Sequence, residues 1–363
     1  MKDVTASRPL GEPWIEGVRS RFGAFAGTLG GPPLIASHDD ADGLSSAALL
    51  ARAFSRTGPE PSVRLVGRGE NAWEEGTARA LAAGAEHGLV VADLGMRGLR
   101  VTERPMAVID HHVPTGAPEG ACVVHGLEVE PVPSTSLLAW WCAQGLLGEA
   151  EAEDLLWLAA VGLIGDLGDK APFDALALAK KRFGAGRLRE LTTLVNAPRR
   201  AAAGDARPAL DLLLRAADPA DALSGAHPER GACQAAREEV AAALAEARRQ
   251  PPRFGARHGG EVAVIRVDSP CQVHPMVAQS WVGRLRGSIV FAANFGYLPG
   301  KVSFSGRAKG DADIVRFLAE HRPAGADPLL YGNGHRRAAG GTLDRDAWND
   351  FAEGLGLGPE MRA

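Results

Sequence analysis

Four short segments of the chain concentrate carboxylates and imidazoles. They are Ser37-His38-Asp39-Asp40-Ala41-Asp42-Gly43, Val91-Ala92-Asp93-Leu94-Gly95, Val108-Ile109-Asp110-His111-His112 and Gly162-Leu163-Ile164-Gly165-Asp166-Leu167-Gly168-Asp169. Hard oxygen ligands mixed with imidazole suit Mn²⁺, and less strictly Mg²⁺ or Zn²⁺. Carboxylates crowded into one pocket repel each other when ionised and unpaired. Such a cluster therefore either holds divalent cations or has raised pKa values. Taken singly, each segment has an ordinary reading. Asp-x-Asp-Gly is a common turn or helix cap, Asp93 and Asp110 could cap, adjacent histidines are common on surfaces, and Asp166 could lie in a turn. Together, and each after an apolar run, they form a candidate site. Asp39 and Asp169 could support the ligands from behind, but are read in preference as plain surface acids.

A second constellation lies near the other end of the chain, in Ser303-Phe304-Ser305-Gly306-Arg307 and Gly332-Asn333-Gly334-His335-Arg336-Arg337-Ala338-Ala339-Gly340-Gly341. Gly332 and Gly334 would let backbone amides approach a phosphate, and a helix starting beyond them would add the positive end of its dipole. His335, Arg336 and Arg307 offer charge-assisted donors to phosphate oxygens. A lone Gly-x-Gly-His is otherwise a tight turn. Phe295, Tyr297 and Phe304 could stack a base, but are read as core.

These residues need elements to position them. Trp14, Val18, Phe22 and Phe25 share one face of a 3.6-period helix, which Gly30-Gly31-Pro32-Pro33 ends. Leu34–Ser37 reads as a buried strand, followed by a turn at Asp42-Gly43 and an Ala-rich helix over Leu44–Arg56. Ser62–Val66, Gly88–Asp93 and Met106–Asp110 read as further strands. Asn71 and Glu74 resemble a capping box opening a helix to about Ala83. Strand–helix alternation implies βαβ units and a parallel sheet, and α/β ligands bind at the carboxyl ends of such strands. The acids and histidines fall just past those ends.

From Ser134 to about Gln250 the pattern is mostly helical, and its last helix, Glu229–Arg249, is broken by Pro251-Pro252 like a connector. Strands return at Glu261–Val267, Ser288–Ala293 and Lys301–Ser305, with helices at Val273–Leu285, Asp311–His321 and Asp346–Leu355. The expected fold is α/β: an N-terminal parallel-sheet domain over 1–215, a helical linker over 216–255, and a smaller C-terminal α/β domain over 256–363.

Composition narrows the classes. The chain has 363 residues, 45% of them apolar, and a net charge of −4, so no whole-protein basic field draws it to nucleic acid; a local basic groove stays open. Its 4 cysteines show no CxxC spacing, which argues against a zinc ribbon or a disulfide framework and fits a reducing cytoplasm. No apolar run is long enough for a membrane span, and the first residues lack the apolar stretch of a signal peptide.

On these motifs the chain resembles the DHH phosphoesterase superfamily, in the subgroup of RecJ-type exonucleases, nanoRNases and cyclic-dinucleotide phosphodiesterases. Asp40-Ala41-Asp42-Gly43 matches its first motif, Asp93 its second, Asp110-His111-His112 its third and Asp166 its fourth. Ser303–Arg307 and Gly332–Gly341 resemble the Ser-x-Arg and glycine-rich elements of its C-terminal substrate-binding domain, DHHA1. Many members carry a metal-binding histidine where this chain has Ala36, and His38 stands two residues later.

The resemblance implies a Mn²⁺-dependent enzyme with two ions, Mg²⁺ being an alternative. Asp93 would bridge the ions. His38 and Asp40 would hold the first, and Asp42, His111 and Asp166 the second. His112 would contact the scissile phosphate, and Asp110 would orient the histidine pair. The expected reaction releases 5′-mononucleotides from single-stranded DNA or short oligonucleotides. The chain reads as too short for the OB-fold of bacterial RecJ enzymes, which favours short substrates. Cyclic dinucleotides, 3′-phosphoadenosine 5′-phosphate and polyphosphate are alternative substrates. A non-catalytic replication scaffold that binds nucleic acid is an alternative of another class. Digestion polarity and a homodimeric state stay open.

Overall fold

The computed structural model describes residues 8–328 and 330–363. The N-terminal stretch read as lacking a signal peptide lies outside the described residues. The chain divides into two compact units, one formed by residues up to Arg199 together with Asp205–Ala235, the other by Arg200–Gly204 and Ala236–Ala363. Among the described residues no helix is long and apolar enough to cross a membrane.

In the first unit, helix α1 (Glu12–Ala26) buries Val18, Phe22 and Phe25 as the spacing requires. It stops at Gly27, earlier than the Gly30–Pro33 run. Strands β1 (Leu34–His38), β2 (Ser62–Val66), β3 (Leu89–Ala92), β4 (Met106–Asp110) and β5 (Cys122–His125) form one parallel sheet in the order β2-β1-β3-β4-β5. β5 has no counterpart in the sequence reading. The strand order reverses between β1 and β3, and ligands in open α/β sheets bind at such a reversal, outside the carboxyl ends. His38 closes β1 and Asp93 follows β3 directly.

Helix α2 (Ala41–Thr57) starts three residues before the position expected from a turn at Asp42-Gly43. The reason is Asp40, which caps it: Oδ1 accepts from the amides of Asp42 and Gly43 at 3.1 Å each. A cap of this kind stabilises a helix by about 1 kcal/mol. Asn71 does not form a capping box either. Its Oδ1 accepts from the Trp73 amide in a local turn, and helix α3 (Glu75–Gly84) starts beyond it with no side-chain cap.

The alanines of α2 have a packing reason. Ala47, Ala48 and Ala53 are fully buried beside Leu44, Leu49 and Leu50, because α2 lies against both α4 (Thr135–Leu147) and α5 (Leu156–Leu167). Each buried leucine contributes roughly 1.5–3 kcal/mol. Helices α6 (Ala185–Val195) and α7 (Arg207–Arg215) add Leu188, Leu191, Leu210 and Leu213 to the same core. The boundary between the units falls within helix α8 (Pro228–Ala247).

The second unit has its own sheet, built on β6 (Val262–Val267), β7 (Ile289–Asn294), β8 (Lys301–Ala308), β9 (Tyr331–His335) and β10 (Ala338–Asp344), with the two-residue strand Arg253–Phe254 at one edge. Its order is β9-β10-β8-β7-β6 and then that short strand; β6 and β7 run parallel and the other pairs antiparallel. Helix α9 (His274–Val282) packs on β7 and β8. Helix α10 (Ile314–Glu320) and helix α11 (Arg345–Leu355) contribute Leu318 and Trp348 to the core around Phe291. Phe304 is core as expected, stacked on Phe351 with ring centroids 5.7 Å apart.

Candidate metal centre

Three elements deliver the acidic cluster of the first unit to one place. The β1–α2 junction supplies His38, Asp40 and Asp42; the β3 end supplies Asp93; the β4 end supplies Asp110, His111 and His112. Asp166 arrives differently, from the last turn of α5 rather than from a turn beyond it.

His38 Nδ1 stands 3.1 Å from Asp40 Oδ2 and 3.8 Å from Asp93 Oδ2. His111 Nε2 stands 3.7 Å from Asp93 Oδ1, 3.6 Å from Asp166 Oδ2 and 4.0 Å from Asp42 Oδ2. Among the described residues, three groups of side chains bring candidate ligand atoms within 4.8 Å of one another: His38, Asp40 and Asp93; Asp42, His111 and Asp166; and Asp93, His111 and His112. Asp93 and His111 each belong to two of them.

Helix α4 supports the cluster from below. Asp42 is buried, and its two oxygens accept from the amides of Thr135 and Ser136 at 2.8 and 3.0 Å. The α4 N-terminus thus supplies orphan donors and a positive dipole end to a carboxylate. Gly162 on α5 allows this approach: a Cβ there would lie 2.2 Å from Ser136 Oγ and 2.6 Å from Asp42 Oδ1.

Asp110 is fully buried and both its oxygens are engaged. Oδ1 accepts from the His112 amide at 2.7 Å and faces His112 Nδ1 at 3.1 Å, while Oδ2 accepts from the Gly95 amide at 2.8 Å. His125, on the unforeseen strand β5, meets the His112 carbonyl through Nε2 at 2.8 Å.

Crowding shows in the protonation of the groups. Burial, with the charges of Asp42 and Asp40, pushes the Asp93 carboxyl well above the usual range. Burial and Asp42 push Asp166 up to about 6. Burial opposes charge on His38, yet the carboxylates of Asp40 and Asp93 raise it to about 10. Burial would also raise Asp40, but His38 and Arg199 hold it well below its ordinary value. His112 is raised to about 9 by its bond to Asp110, against partial burial. Without a cation, the cluster holds protons where charge would otherwise repel. A set of hard oxygen donors and imidazoles in that condition fits divalent ions of the Mn²⁺ and Mg²⁺ kind.

Asp39 departs from its reading as a surface acid. It is buried and accepts from Arg199 Nε at 3.0 Å, and Arg199 Nη2 also lies 3.5 Å from His38 Nε2. Asp169 does stay at the edge, paired with Lys180 and Arg189. Arg199, Thr135, Ser136 and His125 carried no signal in the sequence: the first three act through side chains at least 42 residues away, and His125 through the His112 main-chain carbonyl.

In the second unit, the glycine-rich segment is a β-hairpin, and the next helix, α11, starts only after β10, at Arg345. β9 turns at Arg336-Arg337 into β10. Gly332 has φ +79°, and Gly334 has φ +140° with room for no Cβ, which would lie 2.3 Å from the Ala338 carbonyl oxygen. Arg307, Ala338 and His335 stand in register across three adjacent strands, so their side chains share one face of the sheet. Arg307 donates to Gln279 Oε1 at 3.0 Å and to Ser305 Oγ at 2.9 Å. Arg336 donates to the Asp311 carbonyl at 2.9 Å.

No protein-family model matches the chain, and no curated protein does. Solved structures do. The chain is similar to exonuclease RecJ bound to manganese, with a TM-score of 0.70 at 21% identity over 93% of each chain. RecJ from Thermus thermophilus in complex with Mn²⁺ matches with a TM-score of 0.69 at 20% identity, over 94% of this chain and 54% of that one. The chain thus spans about half the length of the Thermus protein. The DHH domain of a member of a family of ribosomal proteins matches with a TM-score of 0.62 at 15% identity, over 98% of this chain and 94% of that one. The fold is therefore of the class seen in these RecJ and DHH-domain structures, a parallel-sheet unit followed by a smaller mixed-sheet unit. Within that class, the architecture is the one seen in RecJ.

Proposed function

We infer that the chain is a Mn²⁺-dependent phosphodiesterase with two ions, releasing 5′-mononucleotides from single-stranded DNA or short oligonucleotides. The observation that carries this reading is the pair of ligand groups, His38/Asp40/Asp93 and Asp42/His111/Asp166, lying side by side at the strand-order reversal. The manganese of the RecJ structures supports it. The bound ions would polarise the phosphodiester and generate the attacking water at neutral pH.

The protein's own groups do the rest. Asp110 fixes His112 through Nδ1, which leaves Nε2 as the donor for a phosphate oxygen, and the raised basicity of that ring keeps it protonated at neutral pH. His112 is half-exposed, as a substrate contact must be. Arg307 and His335, on one sheet face, with Arg336 and the amides around Gly332 and Gly334, would bind substrate phosphate.

Hydrolysis with Mn²⁺ tests the reading, on 5′-labelled dinucleotide, 20-mer single-stranded DNA, 20-mer RNA, cyclic di-AMP and polyphosphate. We expect cleavage of the dinucleotide or the DNA with mononucleotide release, abolished in Asp93→Asn. Activity on polyphosphate alone, or undiminished activity in Asp93→Asn, overturns it.

A further inference from the structure

Thr135 is buried at the first position of α4 and makes two contacts of different kinds. Its backbone amide donates to Asp42 Oδ2 at 2.8 Å, and its hydroxyl donates to Asp93 Oδ1 at 2.9 Å. Asp42 belongs to one ligand group and Asp93 to the other. One residue therefore grips a carboxylate from each.

The two grips are unequal in what supports them. Asp42 is held by two amides, which no side-chain substitution removes. Asp93 depends on a side chain. Among the described residues, the Thr135 hydroxyl is the one donor at hydrogen-bond distance from its carboxylate, the histidines standing 3.7–4.0 Å away. Asp93 also has an unusual backbone, with φ +62°, the one positive φ outside glycine among the described residues. The backbone at that position leaves more than one side-chain rotamer open, and a hydrogen-bond partner selects among them.

We propose that Thr135 is a positioning residue that fixes the Asp93 carboxylate toward both ligand groups through its hydroxyl, and so couples the two ion positions. Oδ1 of Asp93 is turned to the His111 side by this bond, which leaves Oδ2 on the His38 side. Partners of this kind, acting one bond behind a ligand, typically change metal affinity 10–100-fold. The proposal rests on the two-ion reading above.

Thr135→Val is the informative change. It keeps the β-branched shape and the amide to Asp42, and removes only the hydroxyl. Mn²⁺ binding to the full-length protein would be followed by the electron paramagnetic resonance of free Mn²⁺, giving affinity and stoichiometry, alongside Thr135→Ser and Thr135→Ala. We expect Thr135→Val to lose 10–100-fold in affinity for at least one ion, with Thr135→Ser close to wild type. If Thr135→Val does not fold, the Ser and Ala variants are compared by the same readout, and Ala is expected to be the weaker. Wild-type affinity and stoichiometry in Thr135→Val, or a Ser variant as weak as the Val or Ala variant, overturns the proposal and leaves the two-ion reading intact. A wild-type protein that binds no Mn²⁺ overturns both.

Discussion

Arg199 donates from Nε to Asp39 Oδ1 over 3.0 Å, and both side chains are almost wholly buried. The pair stands directly behind His38. Removing one partner of a buried pair leaves an uncompensated charge, which costs about 3–5 kcal/mol. Arg199→Met should lower stability by that order in urea unfolding. The double variant Arg199→Met with Asp39→Leu should recover most of it. A single variant within about 0.5 kcal/mol of wild type would show that water reaches Asp39.

Metal uptake should release protons. His38 is raised to about 10 by its carboxylate neighbours, so it carries a proton near neutral pH in the metal-free protein, and Asp93 is pushed above its ordinary range in the same direction. Ligands must shed those protons to bind. Mn²⁺ affinity should therefore rise steadily between pH 6 and pH 9. Calorimetric titration at pH 7.5 in buffers of different ionisation enthalpy should show at least one proton released per protein. An apparent enthalpy that does not vary with buffer would contradict this.

Asp166 gives the opposite sign for stability without metal. Its folded pKa, about 6, lies above its ordinary value. Below pH 3.8 both folded and unfolded states are protonated, so the group has no effect there. As pH rises toward 6 the unfolded chain ionises first, and the metal-free fold loses stability that it does not regain above 6. Asp166→Asn should raise the melting temperature in EDTA at pH 7.5, by the equivalent of about 1–2 kcal/mol after solvent screening. The same variant should lose the melting-temperature rise that Mn²⁺ gives the wild type. A metal-induced rise equal to wild type would remove Asp166 from the ligand set.

Gly162→Ala places a methyl against Ser136 and Asp42. Overpacking of this kind costs about 1–3 kcal/mol. The displaced carboxylate should also bind Mn²⁺ more weakly, although no ligand has been changed. Denaturation and metal titration of one sample separate the two effects.

Arg307 should affect substrate and not metal. Hydrogen bonds to charged groups are worth about 1.5–3 kcal/mol, so Arg307→Met should raise KM roughly 10- to 150-fold. Mn²⁺ affinity should stay at the wild-type value. A variant with unchanged KM and reduced metal affinity would refute this assignment.

The sheet of the first unit was readable because its strands are short apolar runs, and several run straight into a charged residue, as Met106–Asp110 does. Their carboxyl ends then collect the acids without any long-range knowledge. What could not be read depends on partners distant in the chain. Thr135 lies 42 residues from Asp93, and Arg199 lies 160 from Asp39; a threonine at a helix start and an arginine beside a proline announce nothing. Cys122–His125 is as long as Leu89–Ala92, but it lies at the sheet edge, is only half-buried and ends in a histidine, where the other strand is apolar throughout. In the glycine-rich segment a second strand stands where a helix was expected, because glycines that permit a phosphate-binding turn also permit a tight hairpin, and Gly334 lies in close backbone contact with Ala338 and Ala339.

The left-handed backbone of Asp93 makes that position answer to two filters at once. A variant library selected only for folding should return glycine, asparagine and aspartate there, the residues that enter this conformation at little cost. The same library selected for Mn²⁺ retention should return aspartate alone. Glutamate, the nearest relative in charge, should fail the first selection before its chemistry is ever tried.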